Sequence, residues 1–210
     1  MKNWCLLADA LPEISAELKV YSSVEELPKG ATAFLKEYGN YFYSIAFLTS
    51  LQKASGSNDP IAFVTASQEG SVVAIGVAQL IRFKGTNVKL STDESDGKLT
   101  YWLKKHIGKH SEKLQFDVLV LGIPSVSGEH SALFKPGITA AEQSGLLTLM
   151  MEGLRSSMDE NVNVLLVKDF YSGAKIDPVN LKPFKYRLLN SEPNLVLEIA
   201  PEWKTFEDYI

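Results

Sequence analysis

Apolar and polar residues alternate through "ISAELKVYSS" (residues 14–23), a period of two that predicts a β-strand. Residues 24–38 follow a helical pattern interrupted by Pro28 and Gly30. Across residues 43–53, Ile45, Leu48 and Leu51 fall near one face, which predicts an amphipathic helix. "PIAFVTASQ" and "SVVAIGVAQLIRF" are two β-rich runs separated only by Glu69-Gly70, and a residue pair ending in glycine between such runs is a hairpin signal.

From residue 84 to 97 the chain is dense in Ser, Thr, Asp and Asn and reads as a loop or an insertion. Residues 98–113 read as a helix. "FDVLVLGI" (116–123) and "NVLLVKDF" (163–170) are nearly unbroken apolar runs, the pattern of strands covered on both faces. Between them lies the longest predicted helix, residues 140–158, with Leu146, Leu147, Met150, Met151 and Leu154 at helical spacing. "KYRLLN" and "NLVLEIA" read as a terminal hairpin joined through Ser191, Glu192 and Pro193, and "PEWKTFEDYI" as the first turn of a further helix with Thr205 as its N-cap. A hairpin, a strand–helix–strand unit and a second hairpin predict an α/β (α+β) fold: one mixed central sheet, partly parallel and partly antiparallel, with helices on both faces.

Composition narrows the function classes. The 210 residues, 45% hydrophobic, suit one large domain or two small ones, with a core large enough to need no staples. Cys5 is the single cysteine, so neither an intrachain disulfide nor a thiolate cluster is expected, and its apolar setting suggests a small buried side chain. A formal net charge of −4 without a basic stripe argues against a nucleic-acid partner. No apolar run reaches the ~18 residues of a membrane span. The N-terminal apolar stretch is too short for a signal peptide and is broken by Asp9, so a cytoplasmic location is expected.

The order of elements resembles the acyl-CoA N-acyltransferase (GNAT) superfamily. In that likeness residues 61–68 and 71–83 are the first long meander and residues 116–123 the splayed central strand. Residues 139–158 are then the helix that receives the cofactor pyrophosphate, and residues 162–170 the neighbouring strand of the cleft. The stretches "VLGIPSVSGEHSALF", "LLVKDF", "PNLVLEI" and "WKTFEDYI" further resemble the N-terminal half of bacterial tandem GNAT-like proteins related to the FemAB transferases and described as peptidoglycan biosynthesis or recognition proteins. The likeness runs from about residue 62 to the end. It implies a single GNAT-like domain over residues 1–210, with a second GNAT-like domain following it in such proteins, or a homodimer as partner.

The resemblance also implies a division of labour. The backbone of Leu121, Gly122 and Ile123 would meet the pantetheine arm of an acyl-CoA, and Pro124 removes a ladder donor at that strand end. The pyrophosphate would meet the start of the helix at Thr139 and Ala140, with Lys135 as a nearby cation. Glu129 or His130 would take a proton from an attacking amine, and Tyr171, beside Asp169, would protonate the leaving thiolate. Each of these side chains also has a plain structural reading, as a cap, a solvated loop residue or core. The sequence departs from the superfamily at the phosphate loop: Gln/Arg-x-x-Gly-x-Gly/Ala is replaced by "LFKPGITAAEQSG". There "TAAE" (139–142) reads as a capping box, which would consume helix donors and place the Glu142 charge where the pyrophosphate belongs.

Other chemistries find less support. Neither Ser125 nor Ser127 lies in a Gly-x-Ser-x-Gly elbow. His106 and His110 share a helical face, but Ile107 stands where a zincin has glutamate, and no metal is expected. Lys104, Lys105, Lys109 and Lys113 form a solvated basic face. Two functions remain in view. One is transfer of an acyl group from a CoA thioester, or an aminoacyl donor, to an amine of a cell-wall or related metabolite such as a peptidoglycan precursor. The other is a GNAT-fold module without turnover that binds a ligand or packs against a catalytic partner; the capping box and the closing "FEDYI" favour it.

Overall fold

The computed structural model describes residues 14–55, 59–84, 115–123, 125–126, 128, 130–158, 162–168, 181 and 185–186. The predicted helix over 98–113, the terminal hairpin, the closing helical turn and Cys5 lie outside the described residues. The described strands are β1 (Glu17–Tyr21), β2 (Ile61–Gln68), β3 (Ser71–Lys84), β4 (Gln115–Leu121), β5 (Ala132–Phe134) and β6 (Val164–Val167). The helices are α1 (Lys29–Tyr38), α2 (Ile45–Ala54) and α3 (Ala140–Ser157), with 3-10 turns at Val24–Glu26 and Tyr41–Tyr43.

The strands form one mixed sheet in the order β1-β2-β3-β4-β6, with β5 also on β3. β1, β2, β3 and β4 pair antiparallel, whereas β4 and β6 are parallel, with β5 and α3 between them in the chain. The β2–β3 hairpin turns where the sequence places it. Glu69 (φ 49°) and Gly70 (φ 76°) both adopt left-handed backbone, the tight reverse turn whose twist matches the strands it joins.

Side-chain alternation sends β2 and β3 into two cores. Val64, Ala66, Ala74 and Ala78, with Leu119 and Leu121 of β4, pack under Leu146, Leu147, Met150, Met151 and Leu154 of α3. Phe63, Ile75 and Val77 face the other way, onto Phe34, Leu35, Tyr43 and Leu48 of the α1–α2 region. Burying one such side chain is worth ~1.5–3 kcal/mol, against ~1 kcal/mol for a helix cap. Packing therefore holds α3 on the sheet, while its cap decides where it starts. The α3 face of the sheet is lined by small residues, so the helix sits close, and Gly145 and Gly153 face Ile14 and Leu18 across the contact.

Two strands differ from the pattern expected of their apolar runs. β6 is not covered on both faces: Val164 is 41% exposed and the next three residues are half-buried, because β6 is an edge of the described sheet. β4 is fully buried only over Leu119–Leu121, where α3 overlies it. Among the described residues no helix is long and apolar enough to cross a membrane.

Gly76 is enclosed on three sides at the α3 face. A Cβ there would lie 2.7 Å from Met150 Cε, 2.9 Å from Leu121 Cδ1 and 3.2 Å from Val64 Cγ1. With neighbours on three sides no single rotamer change relieves the overlap. Gly76→Ala is expected to cost ~1–3 kcal/mol in equilibrium urea denaturation, although alanine is the better strand residue.

Candidate functional site

β3 carries two partners on the same edge. Ala78–Lys84 pair with β4, and Ala74–Gly76 pair with β5. Residues 122–131 therefore leave the ladder and rejoin it opposite a single residue, Val77. The excursion begins at Gly122, whose N–H donates to the Val77 carbonyl at 2.8 Å and whose φ of 126° turns the chain out of the sheet.

Tyr43 fills the gap that this leaves. Its hydroxyl donates to the His130 carbonyl at 3.2 Å, with the Val77 backbone beside it. Burial drives the phenol pKa far above its ordinary value of 10, and the Val77 backbone offsets this only in part. The hydroxyl is thus a permanent neutral donor bridging the ladder to the end of the excursion. The Tyr43 ring is placed by the 3-10 turn at Tyr41–Tyr43, which Asn40 caps through its side chain to the Tyr43 N–H at 3.1 Å.

Lys168 secures the other half. It directly follows β6, and its N–H donates to the Leu121 carbonyl at 3.2 Å, the last β4–β6 bond. Its ammonium reaches the Ile123 carbonyl at 3.1 Å and the Val126 carbonyl at 2.6 Å. Gly122 makes room for the lysine stem, since a Cβ there would lie 2.6 Å from Lys168 Cγ.

Beyond this point the sheet forks. The Lys135 N–H donates to Val73 O at 2.9 Å, and Leu133 lies opposite Ile75. Backbone groups alternate in direction along a strand, so those of Ala132 and Phe134 point away from β3. β6 has already ended on that side, and among the described residues no strand pairs with the outer edge of β5. The edge leads through a short turn, with Gly137 at φ 93°, to the start of α3.

That start is closed by the capping box the sequence predicts. Glu142 Oε2 accepts from the Thr139 N–H at 2.8 Å and from its hydroxyl at 2.7 Å, and the Thr139 hydroxyl oxygen accepts from the Glu142 N–H at 3.3 Å. The Thr139 hydroxyl, and then its N–H, hold the Glu142 carboxyl below its ordinary pKa. The N–H groups of Ala140 and Ala141 are the remaining first-turn donors.

The residues singled out from sequence thus have distinct environments. Leu121 and Ile123 are buried on opposite faces of the sheet, and Gly122 lies between them at the root of the fork. Their backbone groups are engaged by Val77, Val126 and Lys168, and the open edge lies ten residues further on, in β5. Lys135 is exposed between that edge and the Thr139–Ala140 helix start. His130 is half-buried, two residues before β5; its ring packs on Phe42 with centroids 4.7 Å apart, and its N–H donates to the Gly128 carbonyl at 2.7 Å. Glu129, Tyr171, Asp169, Pro124, His106 and His110 lie outside the described residues. No group of three or more His, Cys, Asp or Glu among the described residues could hold a metal ion. Tyr43, Lys168 and strand β5 are the parts of the site that sequence reasoning missed. Three residues are too few to show a period, and neither Tyr43 nor Lys168 belongs to a motif.

Two outcomes follow. Tyr43→Phe keeps the ring and removes the bridging hydroxyl, at an expected cost of ~1–3 kcal/mol for the polar groups left unpaired. Hydrogen exchange should show the accompanying loss of protection concentrated at Val77 and residues 122–131. Glu142 has a folded pKa below its ordinary 4.5, so its contribution is present above that pH and is lost as pH falls through the depressed folded value. Glu142→Gln should therefore flatten the acid limb of the stability–pH curve below about pH 4.5, measured by thermal denaturation from pH 7 to pH 2. Compared with protein-family models, curated proteins and solved structures, the chain matches none.

Proposed function

We propose that the chain is a GNAT-like, acyltransferase-type domain that carries an acyl group from a CoA thioester, or an aminoacyl donor, to an amine of a cell-wall or related metabolite. The observation that carries this reading is the forked sheet, whose β5 edge, unpaired among the described residues, runs into a helix start. The edge of β5 offers outward N–H and C=O groups at Ala132 and Phe134. A ligand with amides spaced along an extended arm suits such an edge, in the way a strand adds to a sheet. The arm's anionic end would then face Lys135 and the Ala140 and Ala141 N–H groups of α3.

In this reading the free amine attacks the thioester carbonyl, a C–N bond forms and the C–S bond breaks. The amine proton passes to His130 or Glu129, and the departing thiolate takes a proton from Tyr171. His130 is the described candidate nearest the edge, and the Tyr43 hydroxyl on its carbonyl fixes its place in the chain. An acyl-CoA is the co-substrate, the acceptor is a small amine or peptidoglycan precursor, and a second GNAT-like domain or second copy is the protein partner.

A second reading is favoured by the capping box. Glu142 places a carboxylate on the helix start, which disfavours a pyrophosphate there. A GNAT-fold module without turnover, which binds a ligand or packs against a catalytic partner, would have no need of that site. Calorimetric titration with acetyl-CoA separates the two. Micromolar binding by the wild-type chain, tightened in Glu142→Gln, is expected of the acyltransferase reading. Heat from neither chain leaves the module without turnover.

A further inference from the structure

Lys168 occupies the root of the fork in a way its position directly after β6 does not require. Its backbone already completes the β4–β6 ladder through Leu121. Its side chain then crosses to the opposite arm, where the ammonium binds the Ile123 and Val126 carbonyls at 3.1 and 2.6 Å. The crossing passes directly over Gly122. A Cβ on Gly122 would lie 2.6 Å from Lys168 Cγ, 3.3 Å from Cδ and 3.5 Å from Ser131 Cα, the residue just before β5. The lysine stem and the residue that leads into β5 therefore flank the same glycine.

We infer that Lys168 is an internal plug: it satisfies, from within the chain, the strand-end carbonyls that a bound amide ligand would otherwise use, and so shortens the open edge to β5. The inference rests on the acyl-CoA reading for the identity of the ligand. An amide arm lying along Ala132 and Phe134 and continuing toward Gly122 meets the Lys168 stem. Its N–H groups find Leu121 O engaged by the Lys168 N–H and Ile123 O by the Lys168 ammonium. A charged donor on a carbonyl is worth more than a neutral amide donor, so a neutral arm does not displace the lysine without cost. The plug also explains why Gly122 must lack a side chain: any Cβ would expel the stem.

The test uses the full chain and two probes, pantetheine, which has the amide arm without the pyrophosphate, and coenzyme A. Lys168→Met keeps a long apolar stem and removes the ammonium. It is expected to bind pantetheine about five- to tenfold more tightly than the wild type, the worth of about one regained hydrogen bond. In the wild-type chain at neutral pH, nitrogen-15 spectra of the lysine ammonium groups should show slowly exchanging protons on Lys168. This readout needs no variant. Ammonium protons that exchange as fast as those of exposed lysines would overturn the plug, whether or not Lys168→Met folds. Binding of coenzyme A by the wild type with no gain of pantetheine affinity in a folded Lys168→Met overturns the plug and leaves the acyl-CoA reading standing. Binding of neither thiol by either chain overturns the acyl-CoA reading, and with it the role of Lys168 toward that ligand.

Discussion

β3 is fourteen residues long and serves two strands along one edge, with Val77 at the change of partner. Everything distinctive in the described structure follows from this. A buried backbone residue must have its N–H and C=O satisfied, and an interrupted ladder leaves those of Val77 without a strand partner. Gly122 supplies the donor for the carbonyl, and the buried Tyr43 hydroxyl lies beside the Val77 backbone. The α1–α2 region is thereby tied to the centre of the sheet by a polar contact as well as by its apolar core. The same hydroxyl fixes the far end of the excursion at His130.

The fork has a second consistent property: its polar groups are met from within the chain at both ends. Lys168 satisfies the carbonyls at its root, and the Thr139–Glu142 box satisfies donors at the start of α3. The stretch between them is the edge of β5, which no strand pairs among the described residues. An unpaired edge is ordinarily a liability for self-association. Here it is only three residues long, with Ser131 and Ala132 buried and Leu133 and Phe134 half-buried, so it offers a short, recessed row of backbone groups.

Much of the scaffold was legible in the chain. The Glu69-Gly70 turn is local, because left-handed backbone at both central residues is a property of the dipeptide and its twist. The apolar spacing from Leu146 to Leu154 and the "TAAE" cap gave α3 and its start, since both signals act within one or two helical turns. The run in "NVLLVKDF" misled as to burial. An apolar sequence reports that a strand is able to be covered on both faces, whereas coverage depends on what packs there, and among the described residues β6 is exposed at Val164 and only half-buried beyond it.

The sequence by itself determined the local elements, their caps and turns, the alternation that divides β2 and β3 between two cores, and the region where the central strand ends. These depend on contacts a few residues apart. Only the tertiary structure decided that residues 132–134 return to β3, that Tyr43 reaches His130 across 87 positions, and that Lys168 crosses to Ile123 and Val126 over 45 and 42. No local period encodes such contacts. They exist because one strand edge was left incompletely paired, and the chain met the buried polar groups with whatever donors the fold had brought within reach.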